Sequence, residues 1–400
     1  MIFKQNYLQL IREKSVYYLN GKRFTYCISC SGRNTYTIMD SNRYLYAENF
    51  KIDDNKKAKD IDLDIGIEGY NILYELLQKN GTISKLMVSV VQQNINSVYN
   101  EDIEDRNENL YIEINVTYRI CDIFFPLTRS KQILYSKQNS ILKECIIVSE
   151  EIVMQYKKIF RIPFIEIKSG NYDLILGAGA GGVLIHEGIG HNLEADIYYK
   201  KNSLLNGRIG RKEFDSTINI IDSCKTNNFI NYKYSADGTK AKNISLIKNG
   251  VIQELMSDKY TSLYFHITDT GNGRAATFEN SIIPRMRNTY MESGNTDPKD
   301  IVKSMKYGIF AMELGGGSVD VTTGNFVLHI ALGGIVKNGE LIGLLSPCIV
   351  KGNVLKTLNC INGIGNDLKF KYTKCIKDGQ ELNVSFGCPT IKLVNQQIYC

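Results

Sequence analysis

Six of the fourteen residues from Gly177 to Gly190 are glycine. A run this poor in side chains builds tight turns or lets two backbones approach closely, and little else. Tyr172-Asp-Leu-Ile-Leu176, just before it, reads as a short buried strand. The first half of the run, Gly177-Ala-Gly-Ala-Gly-Gly182, formally satisfies the G-x-G-x-x-G pattern of a dinucleotide loop. That fingerprint also needs a second parallel strand ending in an acidic residue about 20 positions further on. Residues 196–205 are rich in Tyr, Lys and Asn instead, which weighs against a nucleotide fold.

The second half of the run carries His186-Glu187-x-x-x-His191, two of the four histidines in the chain. In the commoner H-E-x-x-H arrangement the rings are one helical turn apart and share a face; five residues apart they diverge by roughly 140° on a regular helix. Gly188 and Gly190 lower the cost of a widened, π-type turn that brings both rings to one side. Each mid-helix glycine costs about 1 kcal/mol relative to alanine, a penalty that a metal geometry accounts for better than packing. Two imidazoles favour zinc, completed by a third protein ligand and an open position for water. Glu187 is then the general base for that water. The plain alternative is a glycine-rich helix packed on a sheet, with both histidines satisfied by hydrogen bonds.

The rest of the chain reads as α+β. Its 400 residues, 43% hydrophobic and 22% charged, suffice for about two to three domains. Residues 15–19, 24–30 and 36–39 are strand candidates. Gly69 to Gln78 reads as a helix with Ile72, Leu73, Leu76 and Leu77 on one side. In residues 111–120, Ile112, Ile114, Val116, Tyr118 and Ile120 alternate with polar residues, as one strand of a half-exposed antiparallel sheet does; the polar stretch 100–109 before it reads as a surface turn. After Ser140, an N-cap candidate, Ile141, Cys145, Val148, Ile152, Tyr156 and Ile159 recur at helical spacing, and the helix is expected to end before Pro163. The boundary near 161–167 gives an N-terminal α+β region over 1–165, with an antiparallel sheet, and a mainly β domain over 166–400 that carries the glycine-rich metal-binding helix.

No apolar run reaches the 18 or so residues of a membrane helix, and no secretory signal is visible at the N-terminus. The net charge of +6 is dispersed and forms no basic patch, so nucleic acid is not an expected partner. Ten scattered cysteines fit reduced thiols, and the reading that follows is a cytoplasmic protein. Cys27-x-x-Cys30 has no second pair to complete a site. His266 and His329 sit in apolar company and read as core histidines. Glu194 and Asp196 are candidate acceptors for the free nitrogen of a ligating ring, or else part of a solvated helix end.

The segment Gly181-Gly-Val-Leu-Ile-His-Glu-Gly-Ile-Gly-His-Asn-Leu-Glu-Ala-Asp196 resembles the H-E-x-x-x-H segment of the TldD/PmbA metallopeptidases, also called modulators of DNA gyrase. Ala236-Asp-Gly-Thr239, Ile247-Lys-Asn-Gly250, Pro284-Arg-Met-Arg-Asn-Thr-Tyr290, Gly315-Gly-Gly-Ser-Val-Asp320, Gly324-Asn-Phe326 and Gly365-Asn-Asp-Leu368 follow in the order of that family's landmarks. The likeness runs from about residue 140 to the end; the first 140 residues match poorly. It implies a zinc held by His186, His191 and the cysteine of a G-x-C-G-K motif. Cys375 stands at that position, but Thr373-Lys-Cys375-Ile-Lys377 lacks both flanking glycines, and Cys388 is a competing thiol. The intact histidine motif resembles that of the active subunit, with Glu187 catalytic and unfolded or leader-type peptides as substrates. A paralogous subunit or a second copy would be the partner. Gly315, Gly316 and Gly317 border the expected cleft, where a peptide would add its backbone to a sheet edge; a tight turn between strands is the plainer reading. The rival function is a non-catalytic subunit of such a heterodimer, shaping its partner's groove.

Overall fold

The computed structural model describes residues 2–39, 42–49, 63–79, 81–99, 103–120, 123–133, 141–159, 161–225 and 231–400. Its backbone divides into two compact units, Met1–Arg161 with Ala275–Ser281, and Ile162–Arg274 with Ile282–Cys400.

The first unit is an antiparallel sheet with two helices. The strands β1 (Ile2–Leu19), β2 (Lys22–Met39), β3 (Asn42–Asn49), β4 (Thr82–Tyr99), β5 (Ile103–Ile120) and β6 (Ile123–Ile133) take the order β3-β2-β1-β4-β5-β6. The short strands expected near the N-terminus are thus parts of a long hairpin, turned by Asn20 and Gly21 at positive φ. Residues 103–109 belong to β5 and pair with β4, contrary to the surface turn expected over 100–109; positions 100–102 lie outside the described residues. Ile112, Ile114, Val116 and Tyr118 are buried, as the alternation requires; Ile120 lies among the side chains that are not described.

Helices α1 (Gly66–Gln78) and α2 (Ile141–Ile159) pack against each other and against β4, β5 and β6. In α2 all six periodic positions, from Ile141 to Ile159, are buried; Ser140, the N-cap candidate, is outside the described residues. In α1 the buried stripe is Gly69, Tyr70, Leu73 and Leu77. Ile72 points outward at 47% exposure, because the face is set by the 3.6-residue period and Ile72 lies about 100° from Leu73. The Tyr118 hydroxyl donates to the Leu77 carbonyl (3.2 Å) and its ring lies 4.2 Å from that of Tyr156, joining strand to both helices.

The second unit is mainly β. It contains β7 (Gly170–Leu176), β8 (Ile220–Ser223), β9 (Ile244–Lys248), β10 (Val251–Ile252), β11 (Gly273–Arg274), β12 (Ile283–Pro284) and β13 (Asn288–Met291). After them come β14 (Tyr307–Val319), β15 (Asn325–Lys337), β16 (Glu340–Leu345), β17 (Cys348–Asn353), β18 (Ile361–Ile364), β19 (Lys369–Lys377), β20 (Gln380–Cys388) and β21 (Ile391–Tyr399). One mixed sheet has the order β10-β9-β8-β13-β20-β19, which leaves β19 at its edge. The other runs β14-β7-β21-β17-β15-β16, and β14 also pairs with β15, closing a ring of strands. The glycine-rich segment lies between the two sheets' contributions to one core, with Leu174, Leu184, Ile185, Ile189, Leu193, Met286 and Val354 among its members.

The cysteines are not all reduced: Cys348 and Cys400 are joined in a disulfide, a pairing across 52 residues that spacing gives no sign of. His266 and His329 are solvent-exposed, contrary to the core reading. His329 alternates with buried Leu328 and Ile330 along β15, and His266 ends a helix with a left-handed φ of 55°. Among the described residues no helix is long and apolar enough to cross a membrane.

Candidate metal centre

After β7 the chain turns through Gly177 to Gly181 and enters α3 (Gly182–Ile185). Here glycine is needed for contact: a β-carbon on Gly181 would lie 2.8 Å from the Cys388 sulfur, and one on Gly182 2.5 Å from the Phe386 ring. The sheet around this turn is mixed and shows no doubly wound nucleotide fold.

His186–Gly190 is a π-turn, closed by the His191 N–H donating to the His186 carbonyl five residues back. The widening expected from the five-residue spacing is therefore present in the backbone. A widened turn leaves carbonyls without partners. The Asn192 amide donates to one of them, Gly188 O, at 2.9 Å, while its own oxygen accepts from Ser203 Oγ and Leu204 N–H. The two internal glycines do have a packing reason, contrary to expectation: a β-carbon on Gly188 would meet Val354 at 2.7 Å, and one on Gly190 would meet Met286 Sδ at 1.9 Å.

The rings of His186 and His191 come to 5.1 Å between centroids, edge to face at 81°. One ring nitrogen of each, and the Cys375 sulfur, lie within 4.8 Å of one another, all three residues buried. Among the described residues no other group of three such ligands comes together. His191 Nε2 is 3.4 Å from the Cys375 sulfur. The Glu187 carboxylate lies 4.0 Å from His186 Nε2 and 3.8 Å from His191 Nε2, with its side chain 35% exposed. Cys375 is on no glycine loop. It lies inside β19, buried between exposed Lys374 and Ile376, and the missing flanking glycines give way to strand pairing of Cys375 with Leu382. Cys388, the competing thiol, lies outside the cluster and packs on Gly181; burial pushes its thiol far up.

Charge around the rings is asymmetric. Burial, reinforced by the neighbouring His191, holds His186 well below the usual imidazole range, and its Nδ1 is buried without a hydrogen-bond partner. Burial would lower His191 too, but the Glu194 carboxylate, 2.9 Å from its Nδ1, overrides this and takes it up to about 10. Burial raises Glu194, yet Lys377, His191 and Arg285 bring it down to about 2. Burial raises Glu187, partly offset by His191. Glu194 and Asp196 are both buried, which removes the solvated-helix-end reading.

Sequence reasoning gave no role to Lys377 or Arg285. Lys377 Nζ contacts Glu194 (3.0 Å), Asp196 (2.7 Å) and the Pro284 carbonyl (3.0 Å). Arg285, fully buried, donates to the carbonyls of Cys375 (2.6 Å) and Gln380 (3.1 Å). The signal for Lys377 was the period of two that puts it on the Cys375 side of β19; nothing local marks Arg285.

The donor set fits zinc. Two imidazoles and a thiolate are its ordinary protein ligands, and here one nitrogen of each ring and the sulfur lie within 4.8 Å of one another, all three residues buried. A family model, the PmbA/TldA metallopeptidase C-terminal domain, matches residues 169–399. The chain belongs to this family. It is 37% identical over 236 residues to the metalloprotease TldD homolog of Buchnera aphidicola subsp. Acyrthosiphon pisum, a match covering 58% of this chain and 49% of that protein. It is 34% identical over 231 residues to the zinc metalloprotease TldD homolog of Saccharolobus solfataricus, covering 56% and 51%. The chain thus spans about half the length of the curated relatives it matches. Its fold is similar to that of TldE from Thermococcus kodakarensis, with a TM-score of 0.76 at 15% identity over 99% of this chain and 96% of that one.

Proposed function

We propose that this family member is a zinc metallopeptidase cleaving unfolded or leader-type peptides in the cytoplasm, paired with a paralogous subunit or a second copy of itself. The observation that supports the reading is the buried convergence of His186, His191 and Cys375 with the Glu187 carboxylate beside both rings. These three side chains would hold the ion. Zinc there supplies Lewis acidity toward a peptide carbonyl and acidifies water. Glu187, raised by burial, takes the proton of the attacking water on a carboxylate oxygen and passes it to the leaving amine. Glu194 fixes the tautomer and aim of His191 from its Nδ1 side.

Gly315, Gly316 and Gly317 are exposed and lie within β14 at a series of register shifts, not in a turn between strands. Over this half β14 pairs only with β15, since its pairing with β7 covers Gly308 to Ala311. The other edge is open among the described residues, and an extended peptide would add there through main-chain hydrogen bonds. Lys371, on the strand that bears Cys375, pairs with Glu313 of β14 at 2.7 Å, which ties this edge to the centre.

The test is zinc content by mass spectrometry together with cleavage of unstructured peptides, alone and with a paralogous subunit. One zinc per chain, lost with cleavage in Cys375→Ala, is the expected result. A folded wild-type chain that takes up no metal overturns the reading in favour of a non-catalytic subunit.

A further inference from the structure

The two ligand-bearing segments carry a second connection behind the rings. Cys375 and Lys377 share the buried side of β19. His191 is followed three residues on by Glu194, and then by Asp196 in α4 (Ala195–Tyr199). Lys377 Nζ, its side chain 7% exposed, meets Glu194 Oε2 at 3.0 Å and Asp196 Oδ1 at 2.7 Å, and donates to the Pro284 carbonyl at 3.0 Å. These three contacts use the whole donor capacity of an ammonium. The same Glu194 oxygen lies 2.9 Å from His191 Nδ1, and Glu194 Oε1 accepts from the Met286 N–H at 3.3 Å. The contacts form a closed circuit: Cys375 sulfur to His191 Nε2 (3.4 Å), ring to Glu194, Glu194 to Lys377, and along the strand back to Cys375.

From this circuit we infer that Lys377 is a positioning residue for the metal centre, the buried tie that holds the thiol-bearing strand against the histidine-bearing turn. The inference rests on the zinc-site reading given above. A lysine is suited to the task because its compact ammonium donates to three oxygens in three directions, whereas the donors of arginine's guanidinium lie in one plane. Removing the ammonium leaves Glu194 and Asp196, two buried carboxylates, without it, and releases both the aim of His191 and the placement of β19. Outer-shell partners of this kind change metal affinity by roughly 10- to 100-fold.

The experiment uses the full chain with cobalt(II) in place of zinc, whose sulfur-to-cobalt charge-transfer absorption reports the thiolate directly, and zinc affinity by competition with a chromophoric chelator. Lys377→Met is expected to weaken zinc binding at least 10-fold and to reduce the charge-transfer band, with Lys377→Arg restoring part of each. If Lys377→Met does not fold, by circular dichroism, Asp196→Asn decides: it takes the charge from one of the three Nζ contacts while leaving Glu194, and is expected to weaken zinc binding several-fold. A folded Lys377→Met, or in its place Asp196→Asn, with wild-type zinc affinity and an unchanged band overturns the inference while the zinc-site reading stands. A wild-type chain that binds no cobalt overturns the zinc-site reading and the inference with it.

Discussion

The contact between Gly188 and Val354 lends itself to a quantitative test of how the π-turn is held. A β-carbon at position 188 would stand 2.7 and 2.9 Å from the two γ-carbons of Val354 and 3.4 Å from its Cβ, where carbon atoms ordinarily settle at about 3.5–4.0 Å. Val354 is fully buried and stiff at χ1, so it cannot swing clear. Overpacking of this kind costs about 1–3 kcal/mol, against about 1 kcal/mol gained when alanine replaces a helical glycine. Gly188→Ala is therefore expected to lose up to about 2 kcal/mol. Val354→Ala removes two methyl groups, about 1.6 kcal/mol at ~0.8 each, and the cavity it leaves brings the loss to about 2–3 kcal/mol. In the double variant the new methyl occupies the vacated space, so it should be about 2 kcal/mol more stable than the sum of the single losses implies. Urea unfolding of the four chains with zinc chelated, followed by tyrosine fluorescence, measures the cycle. Losses that add to within about 0.5 kcal/mol, the behaviour of independent sites, would refute the packing argument.

Glu187→Gln keeps the ligands and removes the proton acceptor, so peptide cleavage should fall by about 10²- to 10⁴-fold with zinc content unchanged; loss of zinc in this variant would place Glu187 among the ligands instead. In the metal-free chain His191 is raised from 6.5 to about 10, so its contribution to stability is complete below pH 6.5 and is lost as pH rises through 10. Glu194, lowered from 4.5 to about 2, contributes above pH 4.5 and loses that contribution as pH falls through 2. Melting temperature against pH should decline at both ends, and His191→Gln should flatten the alkaline limb; an alkaline limb equally steep in that variant would count against the pairing. Asp222 and Arg287 are buried within 2.9 Å of each other, and Asp222 also accepts from Asn272 and Thr289. Asp222→Asn should cost about 3–5 kcal/mol by leaving a buried guanidinium without its counter-charge, read as a lowered melting temperature; an unchanged value would refute this.

What the sequence revealed depended on how local the determinant was. The stripe from Ile141 to Ile159 was legible because every member lies on one helix face, and the π-turn because a five-residue histidine spacing and two glycines are local facts. The strand over 103–109 was not, since pairing with β4 extends it through polar residues that lack a hydrophobic stripe. His329 was misjudged by its apolar neighbours, although the period of two that puts Leu328 and Ile330 inside puts it outside. Cys375 is identified through resemblance alone, and the alternation of buried Cys375, exposed Ile376 and buried Lys377 shows the strand that holds it only once burial is known. Alternation puts Lys377 beside Cys375, but its task depends on partners 181 residues away, and Arg285, whose partner is 90 residues away, carries no local mark at all.

That separation gives the centre a timetable. His191 and Cys375 are 184 residues apart, and at about 5–20 residues per second of synthesis the sulfur emerges on the order of ten to forty seconds after the second imidazole. A nascent chain therefore carries both rings without the thiol while those 184 residues are made, and the three side chains can meet only once β19 has been synthesised. On the proposed reading, capture of an ion would report that β19 has been made and seated, and a nick that freed β19 would undo it.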